Sequence, residues 1–317
     1  MSATQPDLSA GARVALGPSR SNLGLFVARF LGHRAAVASL VVLAVMATAA
    51  LCAPLVAAAI GHDPNAVSIL RRFRPPSSVN WLGTDHIGRD LFVRLLYGAR
   101  ISLFAAITAA LVAALIGTVV GLVAGYVGGW VDAVLMRFTD AMLALPQLPL
   151  YIVLAAVDLK KLGLAAVAQD EMSSLWRIVF IVALLGWTRV ARIVRGTTLA
   201  ARQEPYVRAA RALGAGHARI MAVHILPNIA SPIIVAITLT IGEVILIESV
   251  LSFLGLGIQP PLASWGNMLT NAQEMLWRAP MLAVWPGLCI FVTVICFNFL
   301  GDGLQDALDP RSRPDAR

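Results

Sequence analysis

The sequence predicts an all-α, polytopic membrane protein with six transmembrane helices, and three observations carry that prediction. Apolar residues make up 58% of the 317 residues and charged residues only 13%, a balance far from that of a soluble domain. Uncharged apolar runs long enough to cross a bilayer, roughly 20 residues each, recur along the chain. The net charge of +8 gathers between those runs, so it is an orientation signal before it is a nucleic-acid footprint. No nucleic-acid partner is expected. Cys52, Cys289 and Cys296 all lie inside apolar runs, without metal-ligand spacing, and buried packing is their expected use.

Residues 1–34 are polar, with scattered Pro, Ser and Gly, and read as an N-terminal tail that turns helical near Phe26 to Phe30. No cleavable signal peptide is evident, because the first apolar run starts late and is too long for one. Ala35 to Ile60 is span 1, with Pro54 expected to kink its far end. Residues 61–100 form a long polar connection. Within it Thr84 or Asp85 is a fair N-cap for an interfacial helix from His86 to Tyr97, striped by Ile87, Leu91 and Leu95. Asp85, His86, Arg89 and Asp90 invite a catalytic reading. Capping and surface charge pairs explain them better.

Span 2 runs from Ile101 to about Gly125. Its Gly117, Gly121 and Gly125 repeat every four residues, the small-xxx-small pattern that lets a second helix approach closely. Span 3 is expected from Val134 to Val157, with Arg137 and Asp140 three apart and able to pair. Span 4 is the least clear, since only Ile178 to Thr188 is free of charge. It must extend past Arg177 and Arg189, whose stems would snorkel to a surface. Span 5, from Ile229 to Leu254, carries Glu243 and Glu248. A turn-rich segment and a second interfacial helix, Ser264 to Trp277, precede span 6, Pro280 to about Leu300. The domain plan is a tail over 1–34, a first span and external loop over 35–100, a five-span core over 101–305, and a tail over 306–317.

Between spans 4 and 5 lies a polar stretch, residues 204–227. Pro205 suits a first helical turn, Gly214 and Gly216 suit a turn, and Pro227 should end whatever precedes it. The spacing predicts a helix from Pro205 to Leu213, a sharp turn at Gly214, and a short helix ending before Pro227. At 3.6 residues per turn, Tyr206, Ala209, Ala210 and Leu213 share one face and Arg208 and Arg211 the opposite one. The alanines let another backbone come close, so the apolar face looks built to dock.

Ala209-Ala210, three residues, Gly214, nine residues and then His224-Ile225-Leu226-Pro227 resembles the coupling loop of permease subunits in ATP-binding-cassette importers, dipeptide/oligopeptide branch. Arg208 stands where that family usually carries a glutamate. Trp81 to Asp90, Leu251 to Gly257, Ser264 to Met268 and Asn298 to Leu304 resemble further family segments in the family's order, so the likeness covers most of residues 75–310. It implies a type I importer permease fold and a coupling site of Tyr206, Ala209, Ala210, Leu213, Gly214, Ile220, His224, Leu226 and Pro227. It also implies a homologous second permease, two cytoplasmic ATPase subunits that bind the ATP and Mg, and an extracytoplasmic substrate-binding protein. No cofactor is expected on this chain.

Three functions compete on the sequence. The importer permease accounts for the absence of a Gly-x-x-x-x-Gly-Lys-Ser/Thr loop, since partners handle ATP. A secondary transporter would use Glu243 and Glu248 as an ion relay, because carboxylates within a span are functional candidates; holding helices together is the plainer use for them. An intramembrane enzyme has no support, as Asp140 lacks a partner aspartate and no hydrolase motif occurs. Arg137, Asp140, Glu243 and Glu248 are therefore intramembrane polar residues for packing or the pathway. Seven arginines from Arg189 to Arg219 place the 204–227 stretch, and with it both termini, in the cytoplasm of a bacterial inner-membrane protein.

Overall fold

The computed structural model describes residues 22–157, 172–270 and 272–308, which are helical with no strand among them. The remaining parts of the expected tails, and the loop with Lys160, Lys161, Asp170 and Glu171, lie outside the described residues. Helix α1, Asn22–Gly32, packs against the end of the last helix through Phe30, Ala36 and Ala307. Span 1 breaks at Cys52 into α2, Arg34–Leu51, and α3, Ala53–Ile60, because Pro54 fits the first turn of a new helix and not the interior of an old one.

The expected helix from His86 to Tyr97 and span 2 are one element, α4, Leu91–Val127, 37 residues long. Gly98 does not interrupt it. The helix starts later than expected because Asp90 caps it, its carboxylate accepting the Val93 N–H at 2.9 Å. Span 3 is also revised. It begins at Gly129 and is two helices, α5, Gly129–Ala144, and α6, Gln147–Ala155, bent by 85°. Pro146 pushes Leu145 into an extended conformation, φ −76°, ψ 139°, which no helix continues through.

Helix α7, Ser173–Ala201, has 29 residues and settles against α4 along its length. The glycine series decides that contact. A Cβ on Gly117 would lie 2.6 Å from the Trp187 carbonyl oxygen, and one on Gly125 would lie 2.8 Å from the Thr198 Cβ. Those are positions no atom can occupy, so only glycine permits the approach. Ala106, Ala110, Ala113 and Ala114 continue the same buried seam.

The arginines of α7 find partners within the chain, while Arg189 and Arg192 stay half exposed. Arg177 donates to the Leu256 carbonyl at 3.1 Å, Arg189 pairs with Glu243, and Arg192 pairs with Asp140 at 2.5 Å. Arg195 grips Asp132 with two bonds of 2.5 and 2.7 Å. Asp140 therefore answers α7 and not Arg137, which is exposed. After α7 come α8, Pro205–Ala212, and the single turn α9, His217–Arg219, described below; α10, Ala230–Phe253, follows.

The expected interfacial helix from Ser264 to Trp277 is instead two single turns, α11, Trp265–Met268, and α12, Ala272–Met275. Far from lying on the interface, α11 is wedged among α4, α10 and the last helix, with Trp265 1% exposed. A Ser264–Asn267 capping box fixes it. The last helix, α13, Met281–Leu308, runs beyond the expected end at Leu300.

Among the described residues four helices, α2, α4, α10 with its lead-in from His217, and α13, are long and apolar enough to cross a membrane, and the bent pair counted as one span makes a fifth. Helix α7 has the length, about 43 Å at 1.5 Å per residue, but carries Arg177, Arg189, Arg192 and Arg195.

Candidate coupling site

The 204–227 stretch emerges at the end of the bundle where the α4–α7 seam closes. Glu204 is extended, φ −67°, ψ 148°, and Pro205 opens α8. The helix ends in a Schellman motif: the Gly214 N–H bonds the Arg211 carbonyl at 3.0 Å and the Ala215 N–H bonds the Ala210 carbonyl at 3.1 Å. Gly214 sits at φ +82°, the left-handed conformation that a side chain resists.

The second segment does not end before Pro227. From α9 the chain passes into a π-helical turn, Ile220–Ile225, then a 3₁₀ turn, Leu226–Ile229, and on into α10 without a break. Pro227 falls in the first turn of the 3₁₀ piece, and the winding continues past it. A π turn inside a longer helix often marks a functional position.

The face drawn from the sequence is only partly kept. Ala210 turns inward with Val207, against Ile220 and Ile225 and the ends of α4 and α7. Tyr206 and Ala209 stay exposed, and Leu213 is 88% exposed. A second Schellman motif caps α10 on the same Leu-Gly pair, Leu254-Gly255, so the cap itself is not the distinguishing feature. The exposed leucine beside the cap is. The Tyr206 hydroxyl is held above its ordinary range, by its partial burial first and by Glu204 second. His224 and Leu226 are half-buried, and Asn228 donates to the His224 carbonyl at 2.6 Å. Beside α8, the Tyr126 hydroxyl of α4 meets His217 Nδ1 at 3.0 Å.

The intramembrane carboxylates part company. Glu243 is partly exposed and tied to Arg189. Glu248 has no exposure and accepts from Ser102 of α4 at 3.2 Å and from its own Ser252 at 2.7 Å. Both hydroxyls in turn accept backbone N–H groups, Ser102 from Trp265 and Ser252 from Ile258. One carboxylate thus pins the 255–268 segment onto α4 and α10. The two glutamates share no partner, which disfavours a relay. Sequence reasoning missed this junction, although serines facing an intramembrane glutamate were its signal; it also missed the partners of Arg192 and Arg195.

The charged residues of the 61–100 loop are likewise not a surface cluster. Asp85, Asp90 and Arg94 are buried, because the loop folds back over the start of α4. Asp85 accepts the Ile87 and Arg89 N–H groups and the Arg89 guanidinium, the last at 2.7 Å. Asp90 accepts Asn80 at 2.6 Å and meets His62 at 3.0 Å. Burial, reinforced by Arg89, Arg94 and Arg72, lowers the His86 pKa against the pull of Asp85. Among the described residues no group of His, Cys, Asp and Glu is arranged to hold a metal ion.

The bundle of long apolar helices thus leaves the capped turn at Gly214 projecting from one end. Residues 117–314 match the binding-protein-dependent transport system inner membrane component family, and residues 21–76 match the N-terminal TM domain of oligopeptide transport permease C. The chain belongs to the binding-protein-dependent transport system inner membrane components, as the permease subunit of an ATP-binding-cassette importer; it is a transport subunit and not an enzyme. It is 37% identical over 298 residues to the oligopeptide transport system permease protein OppC of Bacillus subtilis, covering 93% of this chain and 92% of that protein. It is 41% identical over 236 residues to the glutathione transport system permease protein GsiD of Pectobacterium atrosepticum, 74% of each chain.

Proposed function

We propose that this permease forms half of a translocation pathway for di- or oligopeptides, or similar small solutes, in the bacterial inner membrane. A homologous second permease supplies the other half, two cytoplasmic ATPase subunits bind the ATP and Mg, and an extracytoplasmic binding protein delivers the substrate. The peptide class is supported by the names of its relatives. The seven arginines from Arg189 to Arg219 support a cytoplasmic 204–227 stretch. With α7 counted as the sixth span, its arginines answered by Asp132, Asp140 and Glu243, both termini are cytoplasmic too.

The observation that carries the coupling role is the exposed edge of Tyr206, Ala209 and Leu213 beside the left-handed Gly214. Closure of the ATPases would push on that edge, and the unbroken path from His217 into α10 gives the push a rigid route to Glu248 and the far end. Gly214→Val tests it. A Cβ there meets nothing within 4 Å, so the bundle should fold. The φ strain, roughly 1–2 kcal/mol and more for a β-branched residue, falls on the cap. Permease pairing should persist, while ATPase co-purification weakens and binding-protein stimulation of ATP hydrolysis is lost. Wild-type docking and turnover in Gly214→Val would make the stretch an ordinary loop.

A further inference from the structure

We propose that the recess between the end of α4 and the basic flank of α8 binds the phosphate headgroup of an anionic phospholipid. The recess is a cavity of about 830 Å³, and Arg202, Arg208, Arg211 and His217 line it together with Tyr126 and Gln203. Among the described residues no carboxylate lines its wall. Three guanidiniums around one concavity repel one another, and an anion among them turns that repulsion into attraction. A guanidinium presents a fork of N–H donors that matches phosphate oxygens two at a time.

Much of the site is held in place before any ligand arrives. Arg202 is clamped to the last turn of α4, its Nη1 donating to the Gly125 carbonyl at 3.0 Å and the Tyr126 carbonyl at 3.4 Å. The Arg211 guanidinium lies over the Tyr126 ring, 5.8 Å from its centre, and the Tyr126 hydroxyl is tied to His217. Arg208 adds its charge to the same wall.

The membrane fits as the source of the phosphate better than the ATPase does. Helix α8 exposes its apolar edge, Tyr206, Ala209 and Leu213, on the side away from Arg208 and Arg211. That edge is the one assigned above to the ATPase, so the basic flank is turned elsewhere. The recess opens beside the turn from α4 to α5, where Val127 is 53% and Trp130 78% exposed. An exposed tryptophan at a span end belongs at the level of the headgroups, and a lipid would lay its chains along this apolar rim with its phosphate in the recess. A protein carboxylate would have no use for the rim. The choice of the cytoplasmic leaflet, whose anionic lipids attract basic clusters, rests on the orientation given above.

The test uses the purified full chain in a neutral detergent, titrated with phosphatidylglycerol, phosphatidylcholine or inorganic phosphate, and reads bound lipid by native mass spectrometry alongside thermal stability. Phosphatidylglycerol should bind and stabilise where phosphatidylcholine does not. Arg208→Gln with Arg211→Gln should weaken that binding by about tenfold or more, the loss of at least one charge-assisted pairing, with lipid-free stability unchanged. Arg208→Lys with Arg211→Lys, which keeps charge but not the fork, should fall between. Equal binding of both lipids, or full binding by the glutamine variant, would overturn the proposal. So would saturation of the site by inorganic phosphate alone, or a glutamine variant that loses ATPases from the assembled importer while still binding phosphatidylglycerol. Because the lipid readout needs no ATPase, its failure leaves the coupling role standing, and failed ATPase docking leaves the lipid readout intact.

Discussion

The two ends of α4 are built on opposite plans. At the Leu91 end, polar groups are many and are answered within the chain. Asp85 and Asp90 each accept several donors, Glu248 ties two helices and a loop together, and Trp265 is driven into the bundle with its Nε1 donating to the Leu95 carbonyl at 3.1 Å. At the Tyr126 end, Arg208 and Arg211 line an open recess and Leu213 stands almost wholly in solvent. Buried polar groups are costly unless paired, so the Leu91 end is closed on itself; the other end leaves charged and apolar side chains in the open.

The sharpest break of this contrast is to remove the centre of the closed end. Glu248→Ala takes the acceptor from two buried hydroxyls and leaves a void, so about 3 kcal/mol of stability should be lost. Arg208→Ala, at the open end, should stay within about 0.5 kcal/mol. Thermal unfolding of both variants in detergent measures the pair, and equal losses would dissolve the distinction. Glu248→Gln keeps shape and most hydrogen bonds, so uptake by the assembled importer should survive it; abolished uptake would bring back a proton-carrying role for this residue.

Asp90→Ala probes the same end one step out. It removes the N-cap of α4 and strands the Asn80 amide, at a cost of about 2 kcal/mol. Protease cleavage within residues 61–90 should appear while the 204–227 stretch keeps its wild-type susceptibility. Enhanced cleavage at both ends would mean that the two are not independent.

The smallest effect sharpens the contrast through pH. His86 holds its proton less readily in the folded chain than in the unfolded one, whose value is the ordinary 6.5. Above that value both states are neutral and stability is full. As pH falls below 6.5 the unfolded chain takes up the proton first, and stability drops. His86→Gln should flatten the acid limb of a stability–pH curve measured against wild type. An unchanged curve would show that acid sensitivity at this end comes from other groups.

Much of the candidate coupling site was readable because its signals are local. Pro205, Gly214 and the spacing between them place a helix and a turn, and both stand within a residue of expectation. The face of that helix was not readable. Val207 and Ala210 turn inward because Ile220 and Ile225 arrive from the next segment to cover them, a contact no periodicity within α8 contains. The same limit explains Pro227, which ends a helix by the local rule and here rides through a change from π to 3₁₀ winding.

By itself the sequence determined the solvent of this protein, the helix start at Pro205 and turn at Gly214, and the seam of Gly117, Gly121 and Gly125. Each of these follows from composition or from steric rules that act within a few residues. Tertiary structure alone decided which charge answers which: Arg192 to Asp140 and not Arg137, Arg189 to Glu243, and Glu248 to serines 146 and 4 residues away. An ionic or hydrogen-bonding side chain takes whichever complement packing brings within reach. In a membrane bundle that complement sits on another helix, set there by small residues that fix how closely and at what height two helices meet.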